Sequence, residues 1–469
     1  MEKIIEMKIR YLDPLERLEF ELQHCQEEGL DVATEKIVFE KLLNSITAEN
    51  EQKVRREATR ILQRLNKMSL AVRHSFEPDE LETIAKTQPV QKRNPAVAFD
   101  LGCDEYYDRI LGGWLGRAAG CLLGKPVEKY ARGAICEILE SNAAWPLKNY
   151  FTAQGIPSEI LRKYPWKQRG GLESLRENIT CMPEDDDLNY TMLNLHILET
   201  RGGYFTTDEV GEEWLRMLPV YETFTAERVA YFNYLGGIRP PESGRYLNPF
   251  REWIGAQIRA DLWGYVCPGE PQKAAELAWR DARFSHVRNG IYGEMFFAAM
   301  IAAAFTESSP SVLVEIGLSV IPENSRLAKA VRMTVELVRN RLDWEHILVA
   351  LSAELGHYHW VHVINNAALT VATLLFSQGD FEKTICNAVM GGWDTDCNGA
   401  TAGSVIGVIQ GARNLPDKWI RPLNNRIRSS LKGFDNSTFT DLAGRTVRAA
   451  QNMRDLTGKG STLNAQDDF

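Results

Sequence analysis

The chain has no strongly apolar run long enough to cross a hydrocarbon core of roughly 30 Å. Its longest, Met295 to Phe305, is rich in alanine and predicts a buried helix instead. The start, Met1-Glu2-Lys3-Ile4-Ile5-Glu6, has no apolar segment of the secretory kind, so no export signal is expected. No Cys-x-x-Cys pair and no zinc spacing occurs among the eight cysteines. They are expected to be reduced, mostly buried thiols of a cytoplasmic protein. Basic charge is in deficit, with 54 Lys+Arg against 63 Asp+Glu and a formal charge of −9. A general nucleic-acid binder needs a basic face to displace counterions, so the balance argues against that class. An anionic small substrate is not excluded, because metal ions and helix N-termini supply local positive potential. Strict alternation of apolar and polar residues is scarce, which argues against a sheet-dominated fold. What remains, 44% hydrophobic and 25% charged, reads as an ordinary soluble globular protein, and neither a membrane nor a nucleic-acid partner is expected.

Residues 1 to about 85 are charged and nearly free of glycine. Ile37-Val38-Phe39 with Leu42-Leu43, and Ile61-Leu62 with Leu65, recur at helical spacing. Three or four short helices are expected there, followed by a polar linker from Thr87 to Pro95. The expected division is therefore 1–95 as an accessory helical region with its linker, and 96–469 as an all-α domain. In the segment 108–124, glycines at 112, 116, 120 and 124 fall on one face of a helix and let a second helix approach closely. Beyond residue 180, periodicity predicts helices over 188–200, 207–218, 271–282, 292–306, 310–319, 325–340, 344–354, 363–377, 380–390 and 399–411. Residues 235–270, with many Gly, Pro and Asn, read as long loops.

Two acidic clusters stand out. The first is Pro183-Glu184-Asp185-Asp186-Asp187-Leu188 and the second Gly391-Gly392-Trp393-Asp394-Thr395-Asp396-Cys397. Acidic residues at a helix start meet the dipole and the free N–H groups, which accounts for one or two of them. Facing each other across a cleft, the clusters would instead make an oxygen cage for hard divalent cations. Asp-x-Asp alone is a weak signal and also suits an Asx-turn or helix cap. His357, His359 and His362 suggest a metal cluster at first sight, but a core helix starting at His362 is preferred.

The run Gly392-Trp393-Asp394-Thr395-Asp396-Cys397-Asn398-Gly399-Ala400 resembles the signature of the ADP-ribosylglycohydrolases, the family of the dinitrogenase-reductase-activating glycohydrolase and the ADP-ribosylhydrolases. Three more segments follow the family order: Gly116 to Glu128, Asp185-Asp186-Asp187-Leu188, and Ser285-His286 with Gly290. The likeness covers about 105–430. It implies a compact, multi-helix, all-α fold carrying two Mg²⁺ ions, and hydrolysis of a ribosyl glycosidic bond. Asp185, Asp186 and Asp187 would ligate from one side, Asp394 and Asp396 from the other. Asp186 or Asp187 would act as base, and Glu128 would match a mobile glutamate near the metals. Gly255 and Arg259 would wrap a substrate phosphate, although a buried ion pair of Arg259 with Asp261 or Glu252 fits the sequence equally well. His286, Gly290 and Trp393 complete the substrate-facing set; a histidine bonded to backbone is the other reading of His286.

This sequence departs from the family at four positions. Asp185 stands for Thr or Ser, Cys397 for a Thr ligand, Cys121 for an Asp, and Trp393 is inserted. A thiol serves Mg²⁺ poorly, so the second ion is expected to be weaker. The resemblance implies cleavage of ADP-ribose from a protein or small molecule. Two alternatives stay open: a nucleoside-type N-ribosyl hydrolase on the same scaffold, and a non-catalytic binding protein derived from it.

Overall fold

Apolar residues spaced for helices dictate the architecture. The computed structural model describes residues 9–72, 77–88, 96–166, 170–340 and 343–463, and among these every extended regular element is a helix. Isolated bridges such as Met182 with Ile427 are the only β pairing among the described residues. No helix there is long and apolar enough to cross a membrane. Residues 1–6 of the signal reading and 89–95 of the expected linker lie outside the described residues. The alanine-rich run forms the wholly buried Asn289–Ala303 helix. All eight cysteines are unpaired.

Most expected helices occur near their expected bounds, and the differences have local causes. Thr395–Gln410 begins four residues before the expected start, so Asp396 and Cys397 sit in its first turn. Asp186–Arg201 begins two residues early because Asp185 caps it, accepting the Asp187 N–H at 2.9 Å. Residues 235–270 do not form open loops. Short helices at Glu242–Arg245 and Ala260–Tyr265 interrupt them, and the segment from Asn248 to Tyr265 is buried throughout. Asn248 accounts for part of this: its amide donates to the carbonyls of Ala226, Gly244 and Ser285, satisfying backbone that a loop would leave to water.

The glycine face of Asp104–Gly124 packs on Thr395–Gln410. A Cβ at Gly116 would lie 2.2 Å from the Gly403 carbonyl oxygen, and one at Gly120 would lie 1.9 Å from that of Gly399. The two helices therefore touch backbone to backbone. Glycine costs about 1 kcal/mol against alanine in a helix interior; here only its missing Cβ allows the contact. The pairing also brings the end of the first helix, Gly124-Lys125, beside the start of the second, Thr395-Asp396, where the Thr395 hydroxyl donates to the Gly124 carbonyl at 2.9 Å.

Among the described residues the N-terminal block has four helices: Pro14–Glu27, Ala33–Asn44, Glu51–Val72 and Leu81–Thr87. Leu18, Leu22, Cys25, Leu62 and Leu65 make its small core, which Leu247 of the body joins. Its first helix and the residue that caps it, Glu28, meet the body through buried charge. Glu21 pairs with Arg251 at 2.8 Å and Glu28 with Arg288 at 2.5 Å. Glu77, on the approach to its last helix, pairs with Arg326 at 2.9 Å.

Candidate active site

Three chain segments converge on one cleft of about 410 Å³. Asp185 and Asp186 arrive at the start of Asp186–Arg201, Asp394, Asp396 and Cys397 at the start of Thr395–Gln410, and Lys125 and Glu128 just past Asp104–Gly124. Asn366 fixes the second of these. Its Oδ1 accepts the Asp394 N–H at 3.1 Å and the Asn398 amide at 2.7 Å. Its own amide donates to the carbonyls of Trp360 and His362, so the acceptor cannot turn away.

The floor carries more negative charge than its protein partners neutralise. Burial, then Asp185 and Asp187, push the Asp186 carboxyl well above the usual carboxylate range. Burial, then Glu128 and Asp394, do the same to Asp396. Burial followed by Glu128 raises Asp394 to about 7. Asp185 is the exception. Burial pushes it up, but the adjoining Lys125 ammonium outweighs that and holds it below the ordinary value. Asp187 sits beneath the floor with its Oδ1 receiving Arg117 Nη2 at 2.9 Å; burial still holds it high against that arginine. Arg117 is itself fixed by Asp261 at 2.7 Å.

These residues fit a hard divalent cation. Asp187 Oδ2 and Asp396 Oδ1 are buried without a hydrogen-bond partner in the protein. Cys121, Asp185 and Asp187 offer donor atoms within 4.8 Å of one another, and so do Asp394, Asp396 and Cys397. The oxygens suit Mg²⁺-like ions, whereas the two thiols do not. Asp185 already has an ammonium partner. The donor set is thus ample for one ion and thin for a second.

Several expected contacts are absent from the cleft. Arg259 is fully buried behind it and does not present its guanidinium to a phosphate. Its partners are Asp281 at 2.8 Å, Glu227 at 3.3 Å, Ser285 Oγ at 3.0 Å and Glu294 at 3.6 Å. Neither expected partner pairs with it, since Asp261 is taken by Arg117 and Glu252 by Arg288 and Arg326. His286 is buried beside it, with Nδ1 on Ser285 Oγ at 2.8 Å. Gly290 is packed under the Arg251 carbonyl, where a Cβ would meet it at 2.7 Å. Trp393, at φ 58°, packs against the apolar core rather than lining the cleft. Gly255 does line it, and a Cβ there would strike Glu227 Oε1 at 1.8 Å.

Lys125, Arg117, Glu227, Asn366 and the ring of Trp253 carry no sequence signal of a site, and His359, which suggested a metal ligand, lines the cleft beside Trp253 instead. Glu227 was hidden because its partner, Arg259, lies 32 residues away. Burial raises Glu227 to about 7, against the pull of Arg259. Its folded pKa thus exceeds the ordinary 4.5, so the native protein holds a proton that the unfolded chain has released. Stability attributable to this group is expected to fall as pH rises from about 4.5 to about 7, by at most about 1.4 kcal/mol per unit. Glu227→Gln should flatten that part of the stability profile in thermal melts at pH 5 and pH 8, with the variant gaining only at pH 8. Equal pH slopes in both proteins would show that Glu227 is not the group responsible.

A family model described as ADP-ribosylglycohydrolase matches residues 103–455. No curated protein matches the chain. A solved chain titled "ADP-ribosylglycohydrolase-related protein complex" aligns at 20% identity and a TM-score of 0.46, over 75% of this chain and 99% of its own. Members of the matched family are metal-dependent hydrolases that act on glycosidic bonds of ADP-ribosylated substrates. Because the match takes in well over half of the sequence, including both aspartate clusters, the chain belongs to the ADP-ribosylglycohydrolase family.

Proposed function

We propose that the protein is a Mg²⁺-dependent glycohydrolase that releases ADP-ribose from a protein or small-molecule acceptor. The observation that carries this reading is the convergence of Asp186, Asp394 and Asp396 on one cleft above an unpartnered Asp187 oxygen. Asp186, Asp187, Asp394 and Asp396 would hold the cation, with Asp185 shared between it and Lys125. A bound Mg²⁺ polarises water and orients vicinal hydroxyls. The remaining work falls to the side chains. Asp186, lining the cleft, accepts the proton of the attacking water on a carboxylate oxygen. Glu128, 22% exposed at the rim and 3.2 Å from Lys129, relays that proton from Asp186 to the departing atom as the anomeric bond breaks. Asp187, held from below by Arg117, supports the floor rather than touching substrate. In this reading residues 96–469 are the hydrolase body and 1–95 its accessory region.

The direct test is release of ADP-ribose from ADP-ribosyl-arginine with Mg²⁺ or with EDTA. Mg²⁺-stimulated release is expected. Free base from a nucleoside, with no release from ADP-ribosyl-arginine, would assign the chain to ribosyl hydrolysis of the other kind. No Mg²⁺-stimulated hydrolysis of any riboside would leave a binding protein.

Lys125 supplies a second test. Its ammonium and Asp185 are 3% and 5% exposed, so the pair is dry, and removing one partner of such a pair costs about 3–5 kcal/mol. Lys125→Met is expected to lower the melting temperature in EDTA. Mg²⁺ should restore much of the loss, because the freed Asp185 becomes a further ligand. Titration calorimetry should then show more or tighter Mg²⁺ than in the parent protein. Unchanged binding would mean that Lys125 does not compete for the cation.

A further inference from the structure

The cleft is not walled by the family-matched region alone. Arg10, Tyr11 and Phe20 line it together with Asp186 and Asp394, yet they lie far outside residues 103–455. We propose that the segment 10–20 of the N-terminal block builds the subsite for the planar heterocycle of a phosphorylated riboside, and so selects the substrate. This rests on the reading of the site as a ribosyl hydrolase.

The geometry supplies what a nucleobase needs. Phe20 stands edge-on to Trp253 at 5.5 Å and 89°, and to His359 at 5.8 Å and 87°. Trp253 and His359 are themselves stacked at 4.2 Å and 7°. The three rings form an aromatic corner, and Phe20, His359 and the neighbouring Trp360 keep part of their surface open. Base–aromatic stacking accepts any base, because every base has a π-face. Burial lowers His359 to a pKa of about 4, so at neutral pH its ring is an uncharged stacking surface.

Charge is placed beside this corner. Arg10 is exposed and lines the cleft, and so does Lys129. Both oppose the acidic floor and suit the phosphates of a nucleotide bound with its ribose over the aspartates. The wall is also held firmly. Tyr11 has φ 70°, a conformation an aromatic side chain adopts only when its surroundings impose it. Its N–H donates to Glu16 at 2.6 Å, and the Arg10 and Arg228 guanidiniums lie over its ring at 4.8 and 5.4 Å. The Glu21–Arg251 pair anchors the helix that carries Phe20.

The test compares two ligands on the full chain with Mg²⁺ present: ADP-ribose, which has the heterocycle, and ribose 5-phosphate, which lacks it. Phe20→Ala is expected to weaken ADP-ribose binding by roughly tenfold or more by calorimetry, with ribose 5-phosphate changed by less than about twofold. Phe20→Tyr should restore binding. Phe20→Leu fills the core volume without a ring, and should reproduce the loss if the alanine variant fails to fold. Arg10→Ala is expected to weaken ADP-ribose and to reduce the salt dependence of its binding. If ADP-ribose binds Phe20→Leu as tightly as the parent, or if both ligands weaken together, the subsite is elsewhere and the hydrolase reading survives. If the parent protein binds neither ligand, the hydrolase reading itself fails, and this proposal with it.

Discussion

Asp394→Asn is expected to abolish Mg²⁺-stimulated turnover, lowering it by at least about a thousandfold, while leaving the protein folded. The change is nearly isosteric, and the backbone N–H that Asp394 donates to Asn366 is untouched. What disappears is one carboxylate at the convergence of the two clusters, a cation ligand in the proposed function. The metal-free protein supplies a second readout. Asp394 is held up to about 7, above its ordinary 3.8, so as an ionised group it opposes folding in full only above about pH 7. In EDTA at pH 8 the asparagine variant is therefore expected to melt higher than the parent. In Mg²⁺ the order should reverse, because the parent gains a bound cation and the variant does not. A variant that keeps the parent's Mg²⁺-induced rise in melting temperature would place the cation away from Asp394.

Gly120→Ala is expected to be the most damaging single methyl group in the chain. Its Cβ would sit 1.9 Å from the Gly399 carbonyl oxygen, and the obstacle is backbone that no side-chain rotation can clear. Overpacking typically costs about 1–3 kcal/mol, and a clash between two helix backbones belongs at or above the top of that range. Relief requires the helices to separate, which pulls Asp394 and Asp396 away from Lys125 and Glu128. Loss of melting temperature and loss of turnover should therefore appear together. Gly133→Ala is the matched control: it is exposed, nothing lies within 4 Å of its Cβ, and alanine should be neutral or slightly stabilising. Equal behaviour of the two variants would refute the close-packed reading.

The two helices of that pair show how much a single sequence discloses. The four-residue glycine period announced a close partner for Asp104–Gly124. It could not say which helix, because Gly399 and Gly403 sit nearly 300 residues away and share only the complementary shape. The aspartate clusters were legible because they hold more charge than a helix cap accounts for. The guanidiniums were not. Arg259 looked available for a phosphate until folding brought Asp281, Glu227 and Glu294 to it, each too distant in the chain to be paired by spacing. Residues 248–265 misled for a related reason. Their Gly, Pro and Asn content suggests loops, but Asn248 and the buried arginines satisfy the backbone and allow it to be buried. Tyr11 and Phe20 carried no signal, since an aromatic in an amphipathic block reads as core until the block is seen against the cleft.

The buried pairs that join the N-terminal helices to the body carry a consequence for how the gene can be cut. Arg251, Arg288 and Arg326 each take a carboxylate from the first 77 residues. A chain begun at residue 96 would keep the whole family-matched segment yet expose three guanidiniums without those counter-charges, beside an apolar scar at Leu247, Phe250 and Trp253. The block is thus stitched into its neighbour by charge neutrality. Truncation to the recognisable hydrolase would remove half of each stitch, together with one wall of the cleft.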